Sequence, residues 1–233
     1  MMDNAEPTTD QEGFQDTTWR GVDFSGLSVV LGVGTGRLLE ILNRQAHDSG
    51  GSLLVLEHSP LRLDTVRPLM DSGPLTPVRG RPRHIPVRTE TVDLLVVNGV
   101  LREVQDDRMA AFCTELLRAL VPGGALRISD ILEPQDVEKT PAWAQRNRIV
   151  RKLGQAMGRP VAVAANVRLA ARVLQDLGFE RLTVALLPGY ALTDEWLEET
   201  VNAIRNMAGR LTDPDVRRQI IEDDIPRLTT EYA

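Results

Sequence analysis

The chain has 233 residues, with 27 Lys plus Arg against 33 Asp plus Glu, a net charge of -6, and 42% hydrophobic residues. That is the balance of an ordinary globular protein, and its acidic sign argues against nucleic acid as the main partner. Cys113 is the sole cysteine and His47, His58 and His84 are scattered, so a disulfide framework is excluded and no metal is expected.

Residues 1–18 are polar and lack apolar periodicity, and through Asp16 they hold five acids and no base. They read as a disordered leader, neither a signal peptide nor a transit peptide. From Ser28 a strand-turn-helix pattern begins and repeats. Ser28-Val29-Val30-Leu31 is a buried strand, and Leu38, Leu39, Ile41 and Leu42 mark the helix after it. Leu53–Leu56 is a second strand, followed by a helix over Pro60–Met70. Residues 72–88 hold Pro74, Pro77, Pro82 and Pro86, so a loop is expected there, with at most one short strand near Val78. Val92–Val97 is the clearest strand. Met109, Phe112, Cys113, Leu116, Leu117 and Leu120 then form one helix face, stopped by Pro122-Gly123-Gly124, and Ala125–Ser129 is the next strand. Alternation of this kind predicts a doubly wound, mostly parallel α/β sheet.

The second half is more helical. Helices are expected from about Pro141 to Met157 and from Ala165 to Leu177, and a strand from Leu182 to Leu187. Thr193 or Asp194 caps a helix bearing Leu197, Val201, Ile204, Ala208 and Leu211, and Asp213-Pro214 opens the last. The expected organisation is a leader over 1–18, an α/β domain over 19–190 with a helical cover at 134–177, and a helical extension over 191–233.

The most informative stretch runs from Val29 to Leu38, a strand, a glycine turn and a helix start. Glycines let a ligand approach the backbone, and the helix N-terminus offers free N–H groups. The spacing is G-x-G-x-G, and Arg37 stands where the dinucleotide fingerprint places its third glycine, which counts against a nicotinamide cofactor. Glu57 ends the second strand 21 positions after Gly36, where a carboxylate can accept both hydroxyls of a ribose.

In order, LGVGTGRLLEIL, LLVLEHSP, VDLLVVNGVLREV and LLRALVPGGALRISD resemble the class I S-adenosylmethionine-dependent methyltransferases (type 11), over residues 25–131 and more weakly to 187. The resemblance implies a Rossmann-like sheet and S-adenosylmethionine as cofactor. Gly32, Gly34 and Gly36 would lie against its methionine part, Glu57 would hold the ribose, His58 would sit beside the adenine and Asn98 at the mouth of the site. It also marks departures. Val30 stands where the family has an acid two residues before its first glycine, Arg81 where it often has an Asp after the third strand, and Leu101-Arg102-Glu103 where a His or aromatic pair often follows the fourth. The family's closing hairpin has one expected strand here, 182–187, and no second. Each lost acid removes a charge-assisted hydrogen bond worth about 1.5–3 kcal/mol.

Other candidates keep two readings. Arg79, Arg81, Arg83, His84 and Arg88 receive an anionic substrate group or form a solvated loop, and His84 is a base or a surface residue. Asp130 faces substrate or caps a turn. Trp143 and Trp196 roof the site or pack, Tyr190 could reach a substrate, and Cys113 packs in the core. The expected function is methyl transfer to a small-molecule acceptor, with no catalytic base assigned; the alternative is a methyltransferase-like protein that catalyses another small-molecule reaction or acts as a binding or assembly partner. No apolar run approaches the roughly 18 residues of a membrane span, so no membrane partner is expected and the cytoplasm is the expected setting. A homodimer through Leu197, Val201, Ile204, Ile220, Ile221 and Ile225 is a further expectation.

Overall fold

The computed structural model describes residues 19, 21–34, 36–130, 141–158, 164–185 and 192–232. These fall into two compact units. The first holds the described residues of 19–98, 111–129 and 174–185, and the second those of 99–110, 130–173 and 192–232.

The first unit is built on a five-stranded sheet. Its strands are β1 (Leu27–Leu31), β2 (Ser52–Glu57), β3 (Leu75–Arg79), β4 (Val92–Asn98) and β5 (Leu120–Ser129). Their order is β3-β2-β1-β4-β5 and every pairing is parallel, as the alternating pattern predicts. Helix α1 (Arg37–Ser49) connects β1 to β2, and α2 (Pro60–Val66) with a 3-10 turn (Arg67–Ser72) connects β2 to β3. Helix α3 (Met109–Ala119) precedes β5. On α1 the buried residues Leu39, Leu42, Asn43 and Ala46 recur at helical spacing, and Gly50 ends the helix in the left-handed region. Leu39, Leu42 and Ala46 pack with Val30, Leu53, Val55, Leu94 and Val96 in one apolar cluster. β3 tolerates Pro77 because it is the sheet's edge strand, with one neighbour to satisfy. Pro122-Gly123-Gly124 bulges out of β5, so the register jumps from Val92 opposite Leu120 to Leu94 opposite Ala125.

One expected strand differs. Leu182–Ala185 has no regular structure and is exposed, with Val184 63% accessible, while residues 186 and 187 lie outside the described residues. A strand needs a neighbour to bond with, and among the described residues β5 pairs with β4 alone. The leader at 1–18 and Tyr190 also lie outside the described residues.

Helix α5 (Val167–Asp176) lies in the span expected to be helical from Ala165 to Leu177. The second unit packs α4 (Pro141–Ala156), α6 (Asp194–Ala208), α7 (Pro214–Gln219), a π turn (Ile220–Asp224) and α8 (Ile225–Tyr232). Thr193 caps α6 by accepting from Trp196 N, and Asp213 caps α7 by accepting from Asp215 N and Val216 N. Pro226 has no N–H to continue an α-helical ladder, and the turn before it takes the wider π register. Ile204, Ile220 and Ile225 are buried in this unit's own core, Leu197 and Val201 pack against it, and Ile221 is exposed. No helix among the described residues is long and apolar enough to cross a membrane.

Candidate functional site

The glycine turn is where backbone geometry, not side-chain chemistry, dictates the residue. Gly32, Gly34 and Gly36 have φ of 90°, 60° and 87°, a region that side chains disfavour. Gly32 N–H donates to Leu56 O at 2.9 Å, and Gly36 N–H to Val33 O at 3.2 Å, which closes the turn into α1. A Cβ on Gly34 would sit 2.3 Å from Asn98 Nδ2, so glycine there permits the close approach of Asn98. A Cβ on Gly36 would meet nothing within 4 Å, so the space before the helix is open for a ligand to reach the backbone.

Glu57 is the buried acid of the site, 3% exposed at the end of β2. Its Oε2 accepts from Val33 N at 3.4 Å and its Oε1 from Ser59 N at 2.9 Å. His58 Nδ1 lies 2.9 Å from Oε1, and Arg62 NH1, in the first turn of α2, lies 3.7 Å from Oε2. Asn98 Nδ2 in turn donates to Val33 O at 3.5 Å. The Val33 peptide therefore ties together the glycine turn, the end of β2 and the end of β4. Gly32, Gly34, Gly36, Glu57, His58 and Asn98 are thus drawn into one neighbourhood. Spacing did not reveal Val33 or Arg62 as members. Pro60 at the start of α2 was the available signal for Arg62, since it puts position 62 on the first turn.

A ribose-bearing ligand fits these residues. An ionised carboxylate offers about four acceptor positions, and backbone donors use two of those on Glu57. His58, which is 56% exposed, can swing away from a third. Two departures also take physical form. Val30 is fully buried among apolar side chains, and Arg81 is exposed.

The remaining candidates lie as follows. Arg79, Arg83 and Arg88 are exposed, and His84 is 87% exposed, 3.9 Å from Glu115 Oε1. Their loop is anchored from α3: Glu115 Oε1 accepts from Ile85 N at 2.8 Å, and Arg118 donates to Ile85 O and Val87 O at 3.0 Å. Arg118 also binds both oxygens of Glu115, at 2.8 Å each, and so holds the Glu115 carboxyl below its usual range. Asp130 directly precedes residues 131–140, which lie outside the described residues. Its buried carboxylate accepts from Arg102 N at 3.0 Å, with Arg102 NH1 3.7 Å away. Trp143 and Trp196 stack at 5.9 Å within the second unit. Cys113 is fully buried, and burial pushes its thiol up to about 11. Among the described residues no His, Cys, Asp or Glu cluster could hold a metal ion.

Residues 29–124 match a family model described as a methyltransferase domain, and this span contains the whole of the constellation around Val33. Residues 29–124 are a methyltransferase domain. No curated protein matches the sequence. Solved structures with the methyltransferase fold include a SAM-dependent methyltransferase from Aquifex aeolicus, 18% identical, with 73% of this chain and 79% of that one covered and a TM-score of 0.51. Geranyl diphosphate methyltransferase in complex with SAM is 15% identical over 92% of this chain and 78% of its own, with a TM-score of 0.54. A protein of Galdieria sulphuraria assigned as a sarcosine dimethylglycine methyltransferase is 16% identical, covering 96% and 80%, with a TM-score of 0.53. At such identities the likeness concerns the fold.

Proposed function

We propose that this methyltransferase domain moves the methyl group of S-adenosylmethionine to a nucleophile on a small-molecule acceptor. The observation that carries the reading is the Val33 peptide, which joins an open glycine turn to a buried carboxylate at 3.4 Å. Gly32, Gly34 and Gly36 would leave room for the methionine part, Glu57 would accept from the ribose hydroxyls, and His58 would flank the adenine. Asn98 sets the mouth of the site. The bound cofactor supplies an electrophilic methyl on a sulfonium, whose in-line displacement needs alignment more than acid–base help. The chain's own part is to align the acceptor and exclude water, with no side chain assigned as base. The net charge of -6 favours a small acceptor over nucleic acid.

Val30 favours a second reading, a methyltransferase-shaped protein that no longer methylates. Its side chain lies in the apolar cluster, where the family's acid would help orient an ammonium group. A thermal melt of the full chain with S-adenosylmethionine, S-adenosylhomocysteine and NAD, each added separately, decides between them. A ligand at about 100 times its dissociation constant stabilises by roughly 2.7 kcal/mol, or roughly 5–10 °C for a chain of this size. A shift with both adenosyl compounds and none with NAD is expected. Absence of any shift at millimolar ligand would overturn the proposal and leave the second reading.

A further inference from the structure

Helix α4 carries a positive charge that no described residue neutralises. The guanidinium carbon of Arg146 lies 5.4 Å from the centroid of the Trp143 ring, and its NH1 donates to Asn147 Oδ1 at 2.9 Å. Asn147 is 1% exposed. Both partners are uncharged. Among the described residues, the charge that acts on Arg146 is a second cation, Arg102, and burial together with Arg102 holds Arg146 below the usual guanidinium range. Arg102 has its own acid in Asp130, whose side chain is 3% exposed. Arg102 thus has a carboxylate, and no described carboxylate pairs with Arg146. Withdrawing a cation from water without a counter-charge is strongly unfavourable.

A second observation points the same way. Trp143 is 8% exposed, and its indole N–H is buried with no acceptor among the described residues. A buried donor left unpaired costs about 1–3 kcal/mol. This donor belongs to the ring over which Arg146 lies. An unneutralised cation and an unpaired donor, three residues apart on one helix, lack the same thing: an oxygen-bearing anion.

We infer that Arg146, with Arg102 and the Trp143 indole N–H beside it, is a recognition site for a phosphate or carboxylate group on the acceptor. The identity of that molecule as a methyl acceptor rests on the proposed function; the anion site itself does not. A guanidinium presents its donors as a planar fork that matches either group.

The test is a set of thermal melts of the full chain in sodium phosphate, sodium acetate and sodium chloride at matched ionic strength. Phosphate or acetate, whichever group the site reads, should raise the wild-type midpoint above that in chloride. Arg146→Met keeps the aliphatic bulk and removes the charge, so its midpoint in chloride should equal or exceed the wild type's. The concentration needed for a half-maximal shift should rise at least about tenfold, the loss of one charge-assisted pair. Arg146→Gln serves the same test should the Met variant fail to fold. Equal anion responses in wild type and variant would overturn the site, and so would an anion response no larger than that to chloride. The S-adenosylhomocysteine shift should survive in the variant. Its absence from the wild type beside a retained phosphate shift would sink the methyl-transfer reading and leave the anion site standing.

Discussion

The peptide of Val33 shows how a site can be organised by a residue with no chemistry of its own. Its N–H is held by Glu57 and its carbonyl by Asn98, so the turn is fixed from two strand ends. Gly34 is the tightest point. An alanine there would adopt φ near 60° at a cost of about 1–2 kcal/mol. It would also drive its Cβ into the Asn98 amide. Gly34→Ala should therefore lower the urea midpoint, and Asn98→Ala in the same chain should recover the steric part but not the backbone part. A double-mutant cycle measures this; strictly additive effects would show that the two residues do not meet. Glu57→Gln should weaken S-adenosylhomocysteine binding about 10- to 100-fold by calorimetry, because charge-assisted acceptors become neutral ones. Much of this site was legible in the sequence, since glycine spacing and an acid at a strand end are local signals. The side-chain partner already beside Glu57 was not, because Arg62 reaches it only once α2 has turned at Pro60.

At the scale of elements, the Arg-rich loop after β3 is held by α3 rather than by its prolines. Glu115 and Arg118 are one helical turn apart, and together they bind three backbone groups of Ile85 and Val87. The periodicity of α3 exposed its apolar face, Phe112, Cys113 and Leu116, and said nothing of what its polar residues would grip thirty positions earlier. Contacts between residues so far apart leave no local trace. Arg118→Ala should cost about 2–3 kcal/mol, since it unpairs two carbonyls and a carboxylate that are all partly buried. The pH dependence has a definite sign. Arg118 lowers the Glu115 pKa in the folded chain, so the pair stabilises fully above the unfolded value near 4.5 and that share is lost as pH falls through the lower, folded value. Glu115→Gln should therefore be less stable than wild type at pH 7, with the gap closing as pH falls below 4.5. A gap constant from pH 7 to pH 3 would refute the ion-pair origin. Val30 belongs to this scale too. An acid placed there would sit among Leu53, Val55, Leu94 and Val96, so any gain in ligand binding comes with a buried, unpaired charge.

For the whole molecule, the sole cysteine offers a direct reading of cooperativity. Cys113 is fully buried on α3, and its compact unit is the one that contains β1, β2, β4 and the Val33 constellation. Burial raises the thiol to about 11, so at pH 8 it is both inaccessible and protonated in the folded chain. Once the unit opens, the thiol returns to an ordinary value near 8.5 and reacts. Labelling by a thiol reagent should then proceed only through opening. For a domain stable by about 5 kcal/mol or more, it should be slowed at least several thousandfold relative to the chain in denaturant. If S-adenosylhomocysteine occupies the glycine turn and Glu57, the opening that exposes Cys113 must also release the ligand. Labelling at about 100 times the dissociation constant should then slow by a further factor of about 100, the kinetic image of roughly 2.7 kcal/mol. A melting shift without any slowing of labelling would mean that α3 opens by itself while the site stays intact. A slowing equal to that calculated from the melting shift would mean that sheet, site and α3 rise and fall as one cooperative body.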